Sequence, residues 1–204
     1  LNEARNASFQ KVIQNLTYAP HFISTVVLCG MIISFTSPST GVINTLIQAL
    51  GGQPIDFMGQ ESWFRPVYII SEIGKPTGWS SIIYLAALAV IDPSLHEAAR
   101  VDGASRFKRI IHINIPGIAP TIIILLIMEV GKMMSLGFEK VYLLQNSLNL
   151  HVSEVISTYV YKTGLLGAKF SYTTSIDIFN SVINCILLLI VNKISSAVSE
   201  TSLF

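Results

Sequence analysis

The chain has 204 residues, 51% of them hydrophobic and 12% charged, and a net charge of +1. A soluble domain carries about 25% charged residues, so this composition marks a membrane protein rather than a soluble enzyme or scaffold. It also speaks against nucleic acid as a partner, because a duplex binder needs a concentrated basic face.

Cys29 and Cys185 lie inside apolar runs and read as small hydrophobes, not as a disulfide or a metal site. No CxxC, HExxH or phosphate-cradling glycine loop occurs, so no catalytic, metal or nucleotide motif is visible and no cofactor is expected. The chain starts at Leu1 with a polar, helical stretch and carries no signal-peptide pattern, which reads as a fragment of a longer protein.

Residues 1–18 place Phe9, Val12, Ile13 and Leu16 at helical spacing, with Arg5 and Lys11 on the other side, and predict an interfacial helix ending near Pro20. Residues 20–37 contain no Lys, Arg, Asp or Glu and predict a first membrane span, with His21 at its edge as an interfacial histidine. Residues 38–65 predict a loop holding a short helix over Val42–Leu50, stopped by Gly51 and Gly52. Trp63 and Phe64 beside Arg65 suit a membrane-interface belt.

Residues 66–91 predict a second span with a charged, broken centre: Glu72, Lys75, Pro76, Gly78 and Trp79. Glu72 and Lys75 are three apart and can pair on one helix face, while Pro76 and Gly78 would interrupt the backbone ladder. Broken backbone at membrane depth is tolerated where it is buried in protein or lines a water-filled cavity. Two readings stand: a pathway-lining site with Trp79 as a stacking surface, or a structural kink. Residues 117–138 predict a third span, which repeats the spacing as Glu129 and Lys132; here too a substrate role and a structural pair both stand. Residues 139–171 are polar and aromatic, with Tyr142, Tyr159, Tyr161 and Phe170, and turns marked by Gly164 and Gly167. Such rings suit sugar stacking, but they also sit at membrane interfaces. Residues 172–192 predict a fourth span, and a short serine-rich tail follows.

Four spans put both termini on one side. Residues 1–19, 92–116 and 193–204 hold seven Lys and Arg, against four (Arg65, Lys140, Lys162, Lys169) in the two other loops, so the central stretch is expected in the cytoplasm. That stretch holds Arg100, Arg106, Lys108 and Arg109 within ten positions. Asp92 and Pro93 form a helix start, and Gly103 is placed to end the helix before a second piece begins near Ala104. Ala98, Ala99, Gly103 and Ala104 make a compact surface able to enter a narrow cleft, edged by Glu97 and Asp102. The stretch is either a handle for a soluble partner or a hairpin tied to anionic membrane lipid.

Glu97-Ala98-Ala99, three residues, Gly103, nine residues, then Ile113-x-Ile115-Pro116 resembles the EAA motif of binding-protein-dependent ABC importer permeases, with Ile115 where leucine is usual. Tyr18–Ser24, Ser37–Asn44, Gly78–Leu88 and Ile91–Pro93 resemble the sugar-importer branch, and within it permeases for polysaccharide or complex oligosaccharide uptake in Gram-positive bacteria. The resemblance implies an all-α integral membrane protein of type I: residues 1–194 a partial transmembrane domain with the last four of six spans, 92–116 its coupling loop and 195–204 a cytoplasmic tail. It implies a non-enzymatic subunit in the bacterial cytoplasmic membrane. A second permease subunit, an extracytoplasmic solute-binding lipoprotein and a cytoplasmic ABC ATPase dimer would be its partners. Glu97, Ala98, Ala99, Asp102, Gly103, Ala104 and Pro116 would meet the ATPase. Rival readings are an ion-coupled carrier or channel working through Glu72, Lys75, Glu129 and Lys132, and a truncated, non-transporting fragment.

Overall fold

The structure, a computed structural model, describes residues 7–134 and 137–198. The polar start at residues 1–6 and the last residues of the tail lie outside them. Every regular element among the described residues is helical. In chain order these are α1 (Ala7–Tyr18), a 3-10 turn (Ala19–Phe22), α2 (Thr25–Phe35), α3 (Val42–Ala49), α4 (Glu61–Gly74), α5 (Thr77–Ala89), α6 (Pro93–Val101) and α7 (Arg106–Arg109). A π-helical turn (Ile110–Asn114) leads into α8 (Ile115–Val130), followed by α9 (Phe138–Leu144), α10 (Leu150–Ser153) and α11 (Ile156–Val160). A second π-helical turn (Tyr161–Leu166) precedes α12 (Phe170–Val198).

Local chemistry accounts for most of these boundaries. Ser24 caps α2, its Oγ accepting the Val27 N–H at 3.2 Å. Gly51, at φ +84°, ends α3, with the Gly51 N–H donating to the Gln48 carbonyl and the Gly52 N–H to the Ile47 carbonyl, both at 2.9 Å. Only a residue at ease in the left-handed region closes a helix this way. The ladder also breaks where proline demands it: α4 stops at Gly74 and α5 starts at Thr77, with Lys75 and Pro76 between. Gly78 does not take part in the break; it is buried inside α5.

Two uninterrupted helices, Arg106–Val130 and Phe170–Ser196, are long and apolar enough to cross a membrane, at 25 and 27 residues. At about 1.5 Å per residue each exceeds a hydrocarbon core of about 30 Å. Two further candidates are bent pairs: Lys11–Phe22 with Thr25–Phe35, at 100°, and Thr77–Ala89 with Pro93–Val101, at 72°. Among the described residues, two helices, or up to four if each bent pair is one span, are therefore long and apolar enough to cross. The third expected span, residues 117–138, coincides only in part with a helix. Its helix starts ahead of residue 117 and ends at Val130, capped by Gly131, so Glu129 stands in its last turn and Lys132 in the turn beyond. The π turn carries the helix up to Pro116: the Ile115 N–H reaches back five residues to the Ile110 carbonyl.

The chain divides into two compact units. In one (residues 16–77 and 135–180), Cys29, Phe64, Val141 and Leu144 form a buried core from α2, α4 and α9. Cys29 is 1% exposed and unpaired, the small hydrophobe that its apolar run suggested. Side-chain amides, those of Asn44 and Asn149 buried, pin the loops around this core. Asn44 donates to the Ser37 carbonyl at 3.0 Å and to that of Ile55 at 2.9 Å, and its Oδ1 accepts the Ile55 N–H at 2.8 Å. Asn146 and Asn149 both donate to the Met58 carbonyl, at 2.8 and 3.1 Å. The other unit (residues 1–15, 78–134 and 181–204) buries Ile118 and Ile127. There the side-chain amide of Asn184 on α12 donates to the Gly131 carbonyl at the end of α8.

Candidate functional site

The Glu-Ala-Ala stretch forms α6, which leaves the line of α5 at 72°. Its start is doubly determined. Pro93 occupies the first turn, and Asp92 Oδ1 accepts the Ser94 N–H at 2.9 Å. That backbone hydrogen bond, with a second from the Ser94 side chain, holds the Asp92 carboxyl below the ordinary carboxylate range. A lowered folded-state pKa means the cap contributes fully above the usual aspartate pKa of about 3.9 and is lost as pH falls through the folded value. The acid sensitivity of the wild-type unfolding midpoint below about pH 4 should therefore diminish in Asp92→Asn, which keeps a cap acceptor but does not titrate. Identical acid profiles would remove Asp92 from this account.

The end of α6 explains Gly103. The Ala104 N–H donates to the Ala99 carbonyl at 2.8 Å and the Gly103 N–H to that of Arg100 at 3.1 Å, with Gly103 at φ +72°. These two bonds make the left-handed helix stop in which glycine is favoured. A Cβ at Gly103 would meet nothing within 4 Å. Ser105 then starts the next piece, its Oγ accepting the Lys108 N–H at 3.4 Å.

Of the residues marked by the motif, Glu97, Ala98, Asp102 and Gly103 are exposed, and Ala99 and Ala104 are half-buried. The last two line a recess of about 350 Å³ with Lys108, Arg109, His112 and Ile113. Pro116 lies beyond it in the first turn of α8. Beside the motif stand large exposed apolar side chains that the sequence reading passed over: Leu95, Val101 at 88% exposure and Phe107 at 70%. Arg109, one of the four basic residues of this stretch, is 6% exposed.

The charged kink is rewired relative to expectation. Glu72 does not pair with Lys75. Its Oε2 accepts from Lys140 Nζ at 2.7 Å, across 68 residues. Lys140 on α9 is buried, with 6% of its side chain exposed; it also donates to the Tyr68 carbonyl at 3.3 Å and lies 4.8 Å over the Tyr68 ring. A buried ammonium needs a carboxylate more than the half-exposed Lys75 does, and Lys75 donates instead to Thr25 Oγ1 at 3.1 Å. Trp79 belongs to the other unit and is 43% exposed. Glu129 and Lys132 pair as the spacing suggested, at 3.3 Å, with both side chains mostly exposed.

Described residues whose regular elements are all helical, with apolar helices of membrane length and a capped, exposed Glu-Ala-Ala helix, have the make-up of a membrane transport component. The chain matches the binding-protein-dependent transport system inner membrane component family over residues 3–199, and belongs to that family. It is 43% identical to the polygalacturonan/rhamnogalacturonan transport system permease protein YteP of Bacillus subtilis (strain 168) over 204 residues. To protein LplB of the same strain it is 44% identical. Each alignment takes in 100% of this chain and 64% of the relative, so the chain spans somewhat under two thirds of their length. Among solved structures it is similar to a chain of the bacterial alginate ABC transporter in complex with an alginate pentasaccharide-bound periplasmic protein. That likeness has a TM-score of 0.97 at 41% identity and covers 99% of this chain and 70% of the other. The resemblance carried by the Glu-Ala-Ala motif is thus upheld, and the protein is an integral membrane component of an ABC permease family.

Proposed function

We propose that the chain is a permease subunit of an ATP-driven importer that moves a carbohydrate, derived from oligo- or polysaccharide, across the cytoplasmic membrane. One observation carries the reading. The Glu-Ala-Ala residues form a short helix, capped at both ends and turned 72° from the helix before it, with its charged and apolar side chains outward. A docking element needs this rigidity and exposure. The names of the relatives support the cargo, since YteP is a polygalacturonan/rhamnogalacturonan permease and the similar solved chain belongs to an alginate transporter.

In this reading α6 is the coupling helix and residues 92–116 the coupling loop. Spans near residues 20–37, 66–91, 117–138 and 172–192 give four within a partial transmembrane domain of residues 1–194, with 195–204 as a cytoplasmic tail. Glu97, Ala98, Ala99, Asp102, Gly103 and Ala104 meet one member of a cytoplasmic ATPase pair, and Pro116 sets the return of the chain into the membrane. A second permease subunit and an extracytoplasmic solute-binding lipoprotein complete the assembly. ATP hydrolysis belongs to the partner. ATP binding favours one of two permease states, since a ligand without such preference shifts no equilibrium. Glu72, Lys75, Trp79, Glu129 and Lys132 are the candidate pathway residues.

Glu97→Lys places a cation on the exposed face of α6 without touching the core. The expected result is that the ATPase no longer co-purifies with the permease, while membrane insertion and yield are unchanged. Wild-type co-purification together with wild-type uptake would remove α6 from the coupling role.

A further inference from the structure

The aromatic segment after α8 is not used by the coupling reading. Along helix α9, residues three and four apart lie near one another. Val141 and Leu144 go into the core, while Phe138 and Tyr142, on the adjoining side, meet Tyr161. Ring centroids are 5.4 Å apart for Phe138 and Tyr142, 4.9 Å for Phe138 and Tyr161, and 5.2 Å for Tyr142 and Tyr161. Phe138 and Tyr161 line a cavity of about 310 Å³, and Tyr142 lines another of about 360 Å³. The first is lined by Phe138 and Tyr161 and also by Ser157, Thr174 and the Asp177 carboxylate. The second is lined by Tyr142 with Gln145, Asn146, Ser147 and Lys162.

The first cavity is built by a close approach. Gly164, buried in the π turn, lies against Thr173 of α12, and a Cβ there would fall 2.5 Å from Thr173 Oγ1. The turn then closes through Ala168 at φ +53°, with the Lys169 N–H donating to the Thr163 carbonyl at 3.2 Å. In the second cavity Lys162 donates to Gln145 and, at 2.9 Å, to Glu154, two of the three bonds an ammonium can make.

We propose that this ring wall and its two cavities form a saccharide-binding site, one pyranose ring to each cavity, separate from the charged kink. The proposal rests on the carbohydrate reading above. A pyranose has an apolar C–H face and a rim of hydroxyls. It therefore asks for a fixed aromatic surface together with hydrogen-bonding groups in the same small cavity, which is the usual make-up of a ligand site. Each cavity supplies both. A membrane-interface belt asks only for exposed rings; Tyr159 and Tyr172, 40% and 54% exposed and lining neither cavity, fit that role instead. Asp177 accepts from hydroxyls in the first cavity, and Lys162, its charge met by Glu154, offers its remaining hydrogen to a hydroxyl in the second.

The test uses the purified full-length protein in lipid nanodiscs, titrated with trigalacturonate and with maltotriose, with binding followed by saturation-transfer NMR. Binding of at least one of the two is expected. Asp177→Asn and Tyr161→Leu should each weaken binding about tenfold, the order of one charged hydrogen bond or one stacked ring. Tyr161→Phe, which keeps the ring, should bind as wild type. Unchanged affinity in Asp177→Asn and Tyr161→Leu would overturn the proposal. So would the absence of binding while cells expressing the whole importer take up either probe in an ATP-dependent manner, an outcome that leaves the carbohydrate reading standing. Absence of both binding and uptake for both probes would overturn the two together.

Discussion

Replacing Glu72 by alanine should destabilise the protein far more than replacing its partner Lys140 by methionine. Lys140 is buried, and without Glu72 it keeps only the Tyr68 carbonyl and ring. Removing one member of a buried pair costs about 3–5 kcal/mol, and these remaining contacts place Glu72→Ala near about 3 kcal/mol. Lys140→Met is different in kind. The apolar stem is preserved, and the group left behind, Glu72, has 56% of its side chain exposed. If that side faces a water-filled pathway the carboxylate is solvated, and the loss is about 1 kcal/mol. If it faces lipid the loss is about 3 kcal/mol, the scale for a charge in the hydrocarbon. Unfolding midpoints of both variants in nanodiscs, at one pH and one scan rate, separate these cases. The pathway role for Glu72 expects the mild result for Lys140→Met. Equal, severe losses for the two variants would make the kink a structural feature. The double variant should recover much of the Glu72→Ala loss, because no buried charge is then left unpaired.

The second large effect concerns Gly103. Its φ of +72° costs a non-glycine residue about 1–2 kcal/mol, yet a Cβ there would meet nothing within 4 Å. Asparagine tolerates the left-handed region and valine does not. Gly103→Val should therefore lose both stability and uptake. Gly103→Asn should stay within about 0.5 kcal/mol of wild type in stability and still lose uptake about tenfold or more, equivalent to about 1.4 kcal/mol. The added Cβ has nothing within 4 Å to disturb, so a loss of uptake at unchanged stability would come from a partner surface against the backbone at residue 103. Normal uptake by Gly103→Asn would reduce Gly103 to a helix stop and move the docking surface elsewhere on α6.

Much of this protein follows from the sequence alone, because the features concerned are local. The membrane class follows from composition. The stops at Pro20, Gly51, Pro76 and Gly103 come from residues whose backbone preferences act within a turn, and α6 begins where Asp92 and Pro93 require it. The Glu-Ala-Ala spacing pointed to the family that the comparisons bear out. Only the tertiary structure decided which charges meet. Glu72 takes Lys140 and Lys75 takes Thr25, 68 and 50 residues away, because burial selects ion partners and burial is set by packing of distant helices. The same holds for the third long helix, for both π turns and for the ring wall of Phe138, Tyr142 and Tyr161. Tyrosines in a polar segment give no sign of whether they face membrane or one another. That depends on which face of α9 the core consumes, and the core is assembled from α2 and α4, more than sixty residues earlier.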